Sequence, residues 1–437
     1  MDVLYPVCAG IDVHRDTLVV TVSRAVERRA RSETRTFGAV TEEVRALVAW
    51  LDEQEVPIVA MESTGVYWKP VYRAIRTLSA TRTVWLVNPA HIKAVPGRKT
   101  DVKDSAWIAK LLMHGLLSPS FVPEVALLEL RDLTRYRKKR VGEQASERNR
   151  VIKLLEASNV RLASVASDPL GKAGRAIIEA LLAGDKTPEQ IAETAGRRLR
   201  ASQRDIARAV EGVLGDATRF LLRQMLAHID QVDATIERLD ARIAELLRPM
   251  SDACALVTEI PGINATTVAG VLAEIGTDMS MFPSADHLVS WGGLAPGSHE
   301  SAGKRKPVAT RRGSHWLRVF LVQAAWAATH AKGTFWKRTF ERLRARLGPK
   351  QALIAIARKM LVALLPRAQE PDPVSRTRRR PRAHPPARAP REETRTSAQG
   401  TRLRRTARAH RGANLNDVFR AGSGKRSGDE EARKPLR

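Results

Sequence analysis

Cysteine, long apolar runs and membrane-targeting features are scarce or absent in this sequence. Only Cys8 and Cys254 occur among 437 residues, which excludes a disulfide framework or a cysteine-based zinc site and fits a reducing compartment. No run of about 18 apolar residues is present, and no charged start precedes an apolar stretch, so we expect neither a membrane span nor a signal peptide. The sequence predicts a cytoplasmic protein.

Acidic and aromatic residues are also in short supply. The chain carries 74 Lys+Arg against 47 Asp+Glu, a formal charge of +27, which indicates a polyanionic partner such as nucleic acid. Aromatic residues make up 5%, which argues against base stacking as the main binding mode and favours duplex or structured nucleic acid. A chain this long exceeds the size at which one core stops growing, so several domains are expected.

Residues 1–121 alternate between strand and helix patterns. Two strands and a polar turn are predicted in CAGIDVHRDTLVVTV, and a third strand in RTFGAV. A helix begins at Thr41 with Glu42 and Glu43 in its first turn, where the helix dipole favours anions. The strands PIVAMEST and RTVWLVNP follow, each with a helix after it. Three strands, helix, strand, helix, strand, helix is the order of an RNase H-like α/β domain.

Residues 122–250 show helical patterns only. One long helix carries basic residues between Arg131 and Lys153, which either track a phosphate backbone or form a solvated face. A second helix has an apolar seam at steps of three and four, which predicts a coiled coil or an intramolecular helical hairpin. The seam consists of Leu222, Met225, Ile229, Val232, Ile236, Leu239, Ile243 and Leu246.

Residues 251–365 predict a further helical domain, followed by a basic tail. Two helices around Pro261-Gly262-Ile263-Asn264 have the pattern of a helix-hairpin-helix, although such turns also occur in plain helical packing. Residues 366–437 are rich in Pro, Arg and Ser and contain few large apolar residues, so we expect a disordered tail. Such a tail either adds non-specific nucleic-acid affinity or is a frame-shifted extension.

Four carboxylates in the first domain have the spacing of a two-metal nuclease site. Asp12 interrupts an apolar strand and Glu62 ends another, positions where an unpaired charge is costly. Asp101 and Asp104 lie three apart at a helix start, which places them on one face. In isolation those two are equally typical of helix capping, but with the others they predict a site for two Mg²⁺ ions. His14 is expected to face solvent, outside the site.

Several blocks of this sequence resemble one family. GIDVHRDTL, AMESTGVYW and NPAHIKAVPGRKTDVKDSAWIAKLL are similar to the three blocks of the DEDD transposases. These are insertion-sequence recombinases related to the Piv-type DNA invertases and, in the catalytic domain, to the RuvC resolvase. IPGINATTVAGVLAEIG, FPSADHLVSWGGLAPGSHESAGKRK and RRGSHWLRVFLVQAAW resemble the C-terminal transposase domain of that family. The resemblance covers residues 7–365 in order.

A serine in the loop GGLAPGSHESAGKRK gains a role from this resemblance. By itself the segment is typical of a surface loop, and the spacing does not fit a P-loop. The family implies that the serine ahead of Gly-Lys attacks DNA and forms a phosphoserine link. Ser301 matches that position, with Ser298 as the alternative, although Ala302 stands where the family often has glycine. Basic residues near this loop are candidates for holding phosphates: Lys304, Arg305, Lys306, Arg311, Arg312 and Arg318.

The resemblance implies a transposase that moves its own insertion sequence. It further implies a composite active site in a dimer or tetramer, a structured noncoding RNA that guides site choice, and association with the bacterial nucleoid when bound to DNA. Two alternatives remain open. A metal-dependent junction endonuclease that cuts by water attack needs the four carboxylates but not Ser301. A nucleic-acid-binding remnant without activity needs neither.

Overall fold

The computed structural model describes most of the chain up to residue 368. The described residues are 2–26, 29–63, 65–79, 81–89, 92, 104–196, 199–297, 300–301, 304–305, 310 and 313–368, with the backbone alone for 29, 126, 300–301, 304–305 and 365–368. Two compact units are formed. The first consists of Met1–Ala255 and Ala265–His287, and the second of Leu256–Asn264 and the described residues from Leu288 onward.

A five-stranded mixed sheet organises the start of the first unit. Its strands are β1 Val7–Val13, β2 Thr17–Val26, β3 Arg29–Gly38, β4 Ile58–Glu62 and β5 Thr83–Val87. Their order is β3-β2-β1-β4-β5, with β1–β2 and β2–β3 antiparallel and β1–β4 and β4–β5 parallel. Sheet and helices follow the predicted element order, and the arrangement is compatible with an RNase H-like α/β domain.

Helices cover both faces of this sheet. They are α1 Thr41–Glu53, α2 Trp68–Leu78 and α3 Asp104–Met113. Side chains of β1 alternate between the faces, as a strand requires. Ile11 packs in the core with Leu47 of α1 and Ile75 of α2, whereas Cys8 packs in a separate core with Ile108 of α3. Asp12 therefore shares the α3 face of the sheet with Cys8.

The rest of the described chain is helical apart from one short hairpin. The helices are α4 Val125–Ala157, α5 Leu162–Val165, α6 Lys172–Ala183, α7 Pro188–Thr194, α8 Gln203–Ala209, α9 Asp216–Leu247, α10 Ser251–Thr258, α11 Ala265–Ile275, α12 Ala285–Trp291, α13 His315–His330, α14 Phe335–Leu347 and α15 Pro349–Ala368. A 3₁₀ turn, Arg248–Met250, joins α9 to α10. No helix in the described ranges is long and apolar enough to cross a membrane.

The predicted apolar seam lies on α9, which pairs with α4 of the same chain. The two helices run antiparallel, because Arg242 of α9 pairs with Glu129 early in α4 and His228 pairs with Glu143 further along. Leu226 is buried in place of the predicted Met225, which is only partly buried. This pairing accounts for the seam within one molecule, and a coiled coil between molecules stays a prediction.

The second unit contains the helices α13, α14 and α15, which pack on one another. Residues of the predicted helix-hairpin-helix turn lie against α13. A Cβ on Gly262, whose φ is +92°, would stand 2.5 Å from the Ala324 carbonyl oxygen and 2.6 Å from the Ala328 nitrogen. Only glycine permits this approach, so the turn is a packing element of the unit. The last helix continues to Ala368 and so includes the first three residues of the predicted tail.

Candidate functional site

Two of the predicted carboxylates lie on neighbouring parallel strands. Asp12 is the sixth residue of β1, and Glu62 is the last residue of β4. The ladder pairs Ile11 with Met61, so Asp12 and Glu62 follow next in register at the same edge of the sheet. Because carboxyl ends of parallel strands meet at one edge, this topology places the two acids side by side.

Gly10 allows α3, which carries the third carboxylate, Asp104, to approach β1. A Cβ at this position would stand 2.2 Å from the Ser105 carbonyl oxygen and 2.4 Å from the Ala109 nitrogen, so the backbone of α3 contacts β1 directly. The Cys8 thiol donates to the Ala109 carbonyl at 3.4 Å on the same face. Asp104 is the first residue of α3, one residue before this contact. The close approach therefore brings Asp104 to the edge that carries Asp12.

Asp104 and Glu62 act electrostatically on Asp12. The pKa of Asp12 is raised, first by burial and further by the negative charges of Asp104 and Glu62. His14 opposes this shift, since its Nε2 lies 3.0 Å from Oδ2 of Asp12. A carboxylate that is partly buried beside two like charges is less stable in its ionised form. Excess negative charge at this edge favours the binding of a cation.

His14 is a site residue that the sequence analysis did not include. Its side chain is 58% exposed, as expected for a turn, but the imidazole contacts Asp12, whose side chain is 17% exposed. The spacing Asp-x-His was the available signal, because the residue two positions beyond a strand acid can turn back toward it. Its backbone N–H donates to the Thr17 carbonyl at 2.9 Å, which closes the β1–β2 turn.

The donor chemistry suits a divalent metal, although the described residues do not form a metal cluster. Carboxylate oxygens are the ligands that Mg²⁺ prefers, and Asp12, Glu62 and Asp104 supply them. Within the described residues, no group of three or more His, Cys, Asp or Glu side chains is close enough to hold a metal ion. Asp101, the fourth predicted carboxylate, lies outside the described residues.

The predicted serine loop contains a short antiparallel hairpin. Its strands are β6 Glu300–Ser301 and β7 Lys304–Arg305, and Ser301 pairs with Lys304. Ser301 therefore lies in a short strand, within the segment that the sequence predicted as a surface loop. The backbone places a lysine directly opposite the serine, while the side chains of this hairpin are not described. Ser298, Lys306, Arg311 and Arg312 lie outside the described residues.

Arg318, in the first turn of α13, is the one predicted phosphate-binding residue with a described side chain. Its Nη1 donates to the Thr310 hydroxyl at 2.8 Å. The helix starts at His315 because the Ser314 hydroxyl accepts from the Leu317 N–H. Gly313 fits closely against Trp291 and Gly293, where a Cβ would approach backbone atoms to 2.3 and 2.4 Å. Arg318 is therefore held on a well-defined helix start.

The basic residues of α4 are mostly engaged by carboxylates of the same chain. Arg135 makes a bidentate pair with Glu274 at 2.8 and 3.0 Å, and Arg131 lies 3.7 Å from that carboxylate. Further pairs join Arg137 to Asp240, Arg140 to Glu143, Arg148 to Asp168 and Arg150 to Glu147. This pattern favours a structural role for α4 over the alternative of tracking a phosphate backbone.

A sheet compatible with the RNase H-like fold and acids at one edge are typical of enzymes that cut or transfer nucleic-acid strands. Comparison with known sequences agrees with this interpretation. Residues 9–159 match a transposase family model of the DEDD type, and residues 254–340 match the model "Transposase IS116/IS110/IS902 family". The chain belongs to the IS110 family of transposases, and it is an enzyme that acts on DNA.

Individual relatives cover different shares of the chain. The IS110 insertion-element protein of Streptomyces coelicolor is 30% identical over 298 residues, which are 62% of this chain and 70% of that protein. The IS900 protein of Mycobacterium paratuberculosis is 29% identical over 223 residues, covering 46% and 54% respectively. The pilin gene-inverting protein of Moraxella bovis is 32% identical over 134 residues, covering 29% and 41%.

Proposed function

We propose that this transposase recombines DNA with a serine nucleophile and a metal site on four carboxylates. Asp12, Glu62, Asp101 and Asp104 hold Mg²⁺, and Ser301 supplies the attacking oxygen. The observation that supports this most is the electrostatic grouping of Asp12, Glu62 and Asp104, because the pKa of Asp12 is raised by both other acids. Such a grouping is costly without a cation. When bound, Mg²⁺ neutralises charge that develops on the phosphate oxygens.

The serine reaction exchanges one phosphate ester bond for another, so the number of such bonds does not change. Ser301 Oγ attacks the scissile phosphorus as its proton leaves, and the bond from phosphorus to the deoxyribose oxygen breaks, with that oxygen taking up a proton. A phosphoserine link results. Attack by the hydroxyl end of another strand reverses the exchange and releases the serine, so rejoining needs no external energy source. One relative is named as a pilin gene-inverting protein, and the inversion of a gene requires DNA to be cut and rejoined.

The partners follow from the same proposal. Element ends and target DNA are the substrates, and a structured noncoding RNA pairs with them to select the sites. As the family resemblance implies, the carboxylates and Ser301 come from different subunits of a dimer or tetramer and form a composite active site. Phosphate contacts are assigned to Lys304, Arg305, Lys306, Arg311, Arg312 and Arg318.

Excised circular junctions test the role of the serine. The gene is placed with its native flanking DNA on a plasmid in cells, and junctions are sequenced for wild type and for Ser301→Ala, with exposed Ser251→Ala as control. We expect junctions with wild type and the control only. An SDS-resistant protein–DNA adduct should appear under the same conditions. Junctions that survive Ser301→Ala would contradict the serine mechanism and support cleavage by water.

The metal site has a test that is independent of activity. We expect Mn²⁺ binding, followed by calorimetry, to weaken at least tenfold in Asp12→Asn but not in Asp16→Asn, whose carboxylate is 83% exposed nearby. Asp12→Asn should fold at least as stably as wild type at neutral pH, because it removes an ionised group that burial and two acids oppose. Unchanged Mn²⁺ affinity in a folded variant would contradict the metal assignment.

A further inference from the structure

An exposed face of α14 carries three arginines at regular spacing. Arg338, Arg342 and Arg346 follow at i, i+4 and i+8, and all three are exposed. We call them the arginine stripe. Residues four apart on a helix are neighbours, so the stripe is a continuous row along about 12 Å of helix, at 1.5 Å per residue. Lys337 and Arg344 lie on another side of the helix, and Glu341 is the single acid in Phe335–Leu347.

The stripe differs from the basic face of α4 because none of its arginines is paired with a carboxylate in the described part of the chain. Across the part of the chain that the structure describes, none of the three arginine side chains forms an ion pair or a hydrogen bond. Like charges four residues apart destabilise a helix, so the row is unfavourable unless an anion lies along it. The arginines of α4, by contrast, are paired with carboxylates from their own helix and from other segments of the unit.

The helix that carries the stripe is rigidly placed in its unit. The Thr334 hydroxyl accepts from the Lys337 N–H and starts the helix, and Gly348, with φ of +78°, ends it. Trp336 and Thr339 are buried, and α14 packs against both α13 and α15. The outward direction of the stripe is therefore fixed by packing.

An exposed aromatic ring extends the same face. Phe335 is 58% exposed and precedes Arg338 by three residues, which places it in line with the stripe. Its ring contacts buried Trp336, with centroids 5.2 Å apart at 73°. A large exposed apolar side chain beside unpaired arginines is typical of a nucleic-acid surface, where the ring lies against sugar or base.

We propose that the arginine stripe of α14 binds the phosphate backbone of a duplex, independently of sequence. Each strand of a duplex presents one phosphate per 3.4 Å of axis, so a 12 Å row matches about three to four phosphates. Two of the three arginines, Arg342 and Arg346, lie beyond the family match, which ends at residue 340. The proposal does not depend on the serine or the carboxylates, because it concerns binding alone. The ligand is duplex DNA, because the chain belongs to a family of enzymes that act on DNA.

The test measures the salt dependence of binding by the full chain. Fluorescence anisotropy follows a labelled duplex of arbitrary sequence, as DNA and as RNA, at several NaCl concentrations. For Arg338→Gln/Arg342→Gln/Arg346→Gln we expect the slope of log K against log salt to shrink by about 2 to 3, since each lost phosphate contact contributes about 0.9. A smaller slope on the DNA duplex supports the proposal, and a change confined to the RNA duplex would overturn it.

Two matched variants show whether a change in slope arises from the position of the arginines, from the loss of net charge or from misfolding. Lys153→Gln/Arg204→Gln/Arg238→Gln removes the same charge from exposed positions outside the stripe, and its slope should change by less than about 0.5. Arg338→Lys/Arg342→Lys/Arg346→Lys keeps the charge and should keep the slope. Equal slopes for the stripe variant and the scattered control, or an unchanged slope on both duplexes, would overturn the proposal.

Discussion

At the scale of single residues, Gly10 has the largest consequence for the site. It lies on β1 where the backbone of α3 approaches most closely, two positions before Asp12 and opposite the residues that follow Asp104. Any side chain there would push α3 outward and Asp104 with it. The sequence contains the glycine, but its role as a spacer between two catalytic candidates depends on the approach of a helix from about a hundred residues away.

Gly10→Ala is expected to destabilise the fold by about 3 kcal/mol, because the new Cβ would meet two backbone atoms that cannot move independently. Chemical denaturation measures the loss. Gly142→Ala is the matched control, since Gly142 lies within α4 with nothing within 4 Å of the new Cβ. That change should stabilise by about 0.8 kcal/mol through helix propensity. Equal changes in stability for Gly10→Ala and Gly142→Ala would show that α3 can move away from β1 at little cost.

Cys8 predicts a pH dependence of stability. Burial raises the pKa of its thiol from 9.0 to about 12, whereas in the unfolded chain the thiol ionises near 9. Above pH 9 the unfolded state therefore binds fewer protons, and stability falls as pH rises. We expect this residue to account for a loss of about 2 kcal/mol by pH 10.5. Urea denaturation at several pH values measures the free energy of unfolding, which between pH 9 and 10.5 should fall by about 2 kcal/mol more in wild type than in Cys8→Ala. Parallel pH curves for the two proteins would contradict the prediction.

At the scale of elements, the buried pair between α4 and α11 stands out. Glu274 is 1% exposed and faces both Arg131 and Arg135, while Arg131 also donates to the Ala273 and Glu274 carbonyls at 3.1 and 2.8 Å. These carbonyls end α11, so the arginine also caps the helix. Helix α11 lies within residues 254–340, which match the second family model, but it packs as part of the first compact unit.

Glu274→Gln should cost about 3 to 5 kcal/mol, because it leaves two buried or half-buried guanidinium groups without their carboxylate. Thermal and urea unfolding measure the change. Glu245→Gln removes an exposed partner of Arg242 and serves as control, with an expected effect below about 1 kcal/mol. A loss in Glu274→Gln as small as in the control would mean that solvent reaches the pair.

At the scale of the whole molecule, the boundary between the compact units is crossed more than once by the chain. Ala265–His287 belongs to the first unit although Leu256–Asn264 belongs to the second. Leu127 and Leu130 of α4 form one apolar cluster with Ala269 and Ala273 of α11. A cut placed after α9 or α10 on sequence patterns would therefore remove part of the core of the first unit.

A fragment of residues 2–287 is expected to unfold cooperatively, and a fragment of residues 2–255 to be less stable by at least about 3 kcal/mol. The shorter fragment loses α11, which buries apolar side chains of α4 and neutralises Arg131 and Arg135. Urea denaturation of both fragments measures the difference. If the two midpoints coincide, α11 contributes nothing to the first unit.

The element order of the α/β domain was predictable because its signals are local. Alternating and continuous apolar runs identify strands, and helical spacing from Thr41 identifies α1, whatever the rest of the chain does. The acids Asp12 and Glu62 were recognisable because each interrupts or ends an apolar strand. The parallel pairing of β1 with β4 was not predicted, because β2, β3 and α1 lie between them in the chain and only the tertiary structure brings the two strands together.

Other features depended on contacts between distant segments. The sequence of α4 is as basic as a phosphate-binding helix, but carboxylates such as Asp240 and Glu274 neutralise it, and no local pattern reveals which partners meet. The exposed stripe on α14 has a similar composition and lacks such partners within the described residues. Local residue order determines the secondary structure and the candidate chemistry of this chain. Which charges remain available for a ligand is decided by tertiary packing, because charge neutralisation and burial act through space.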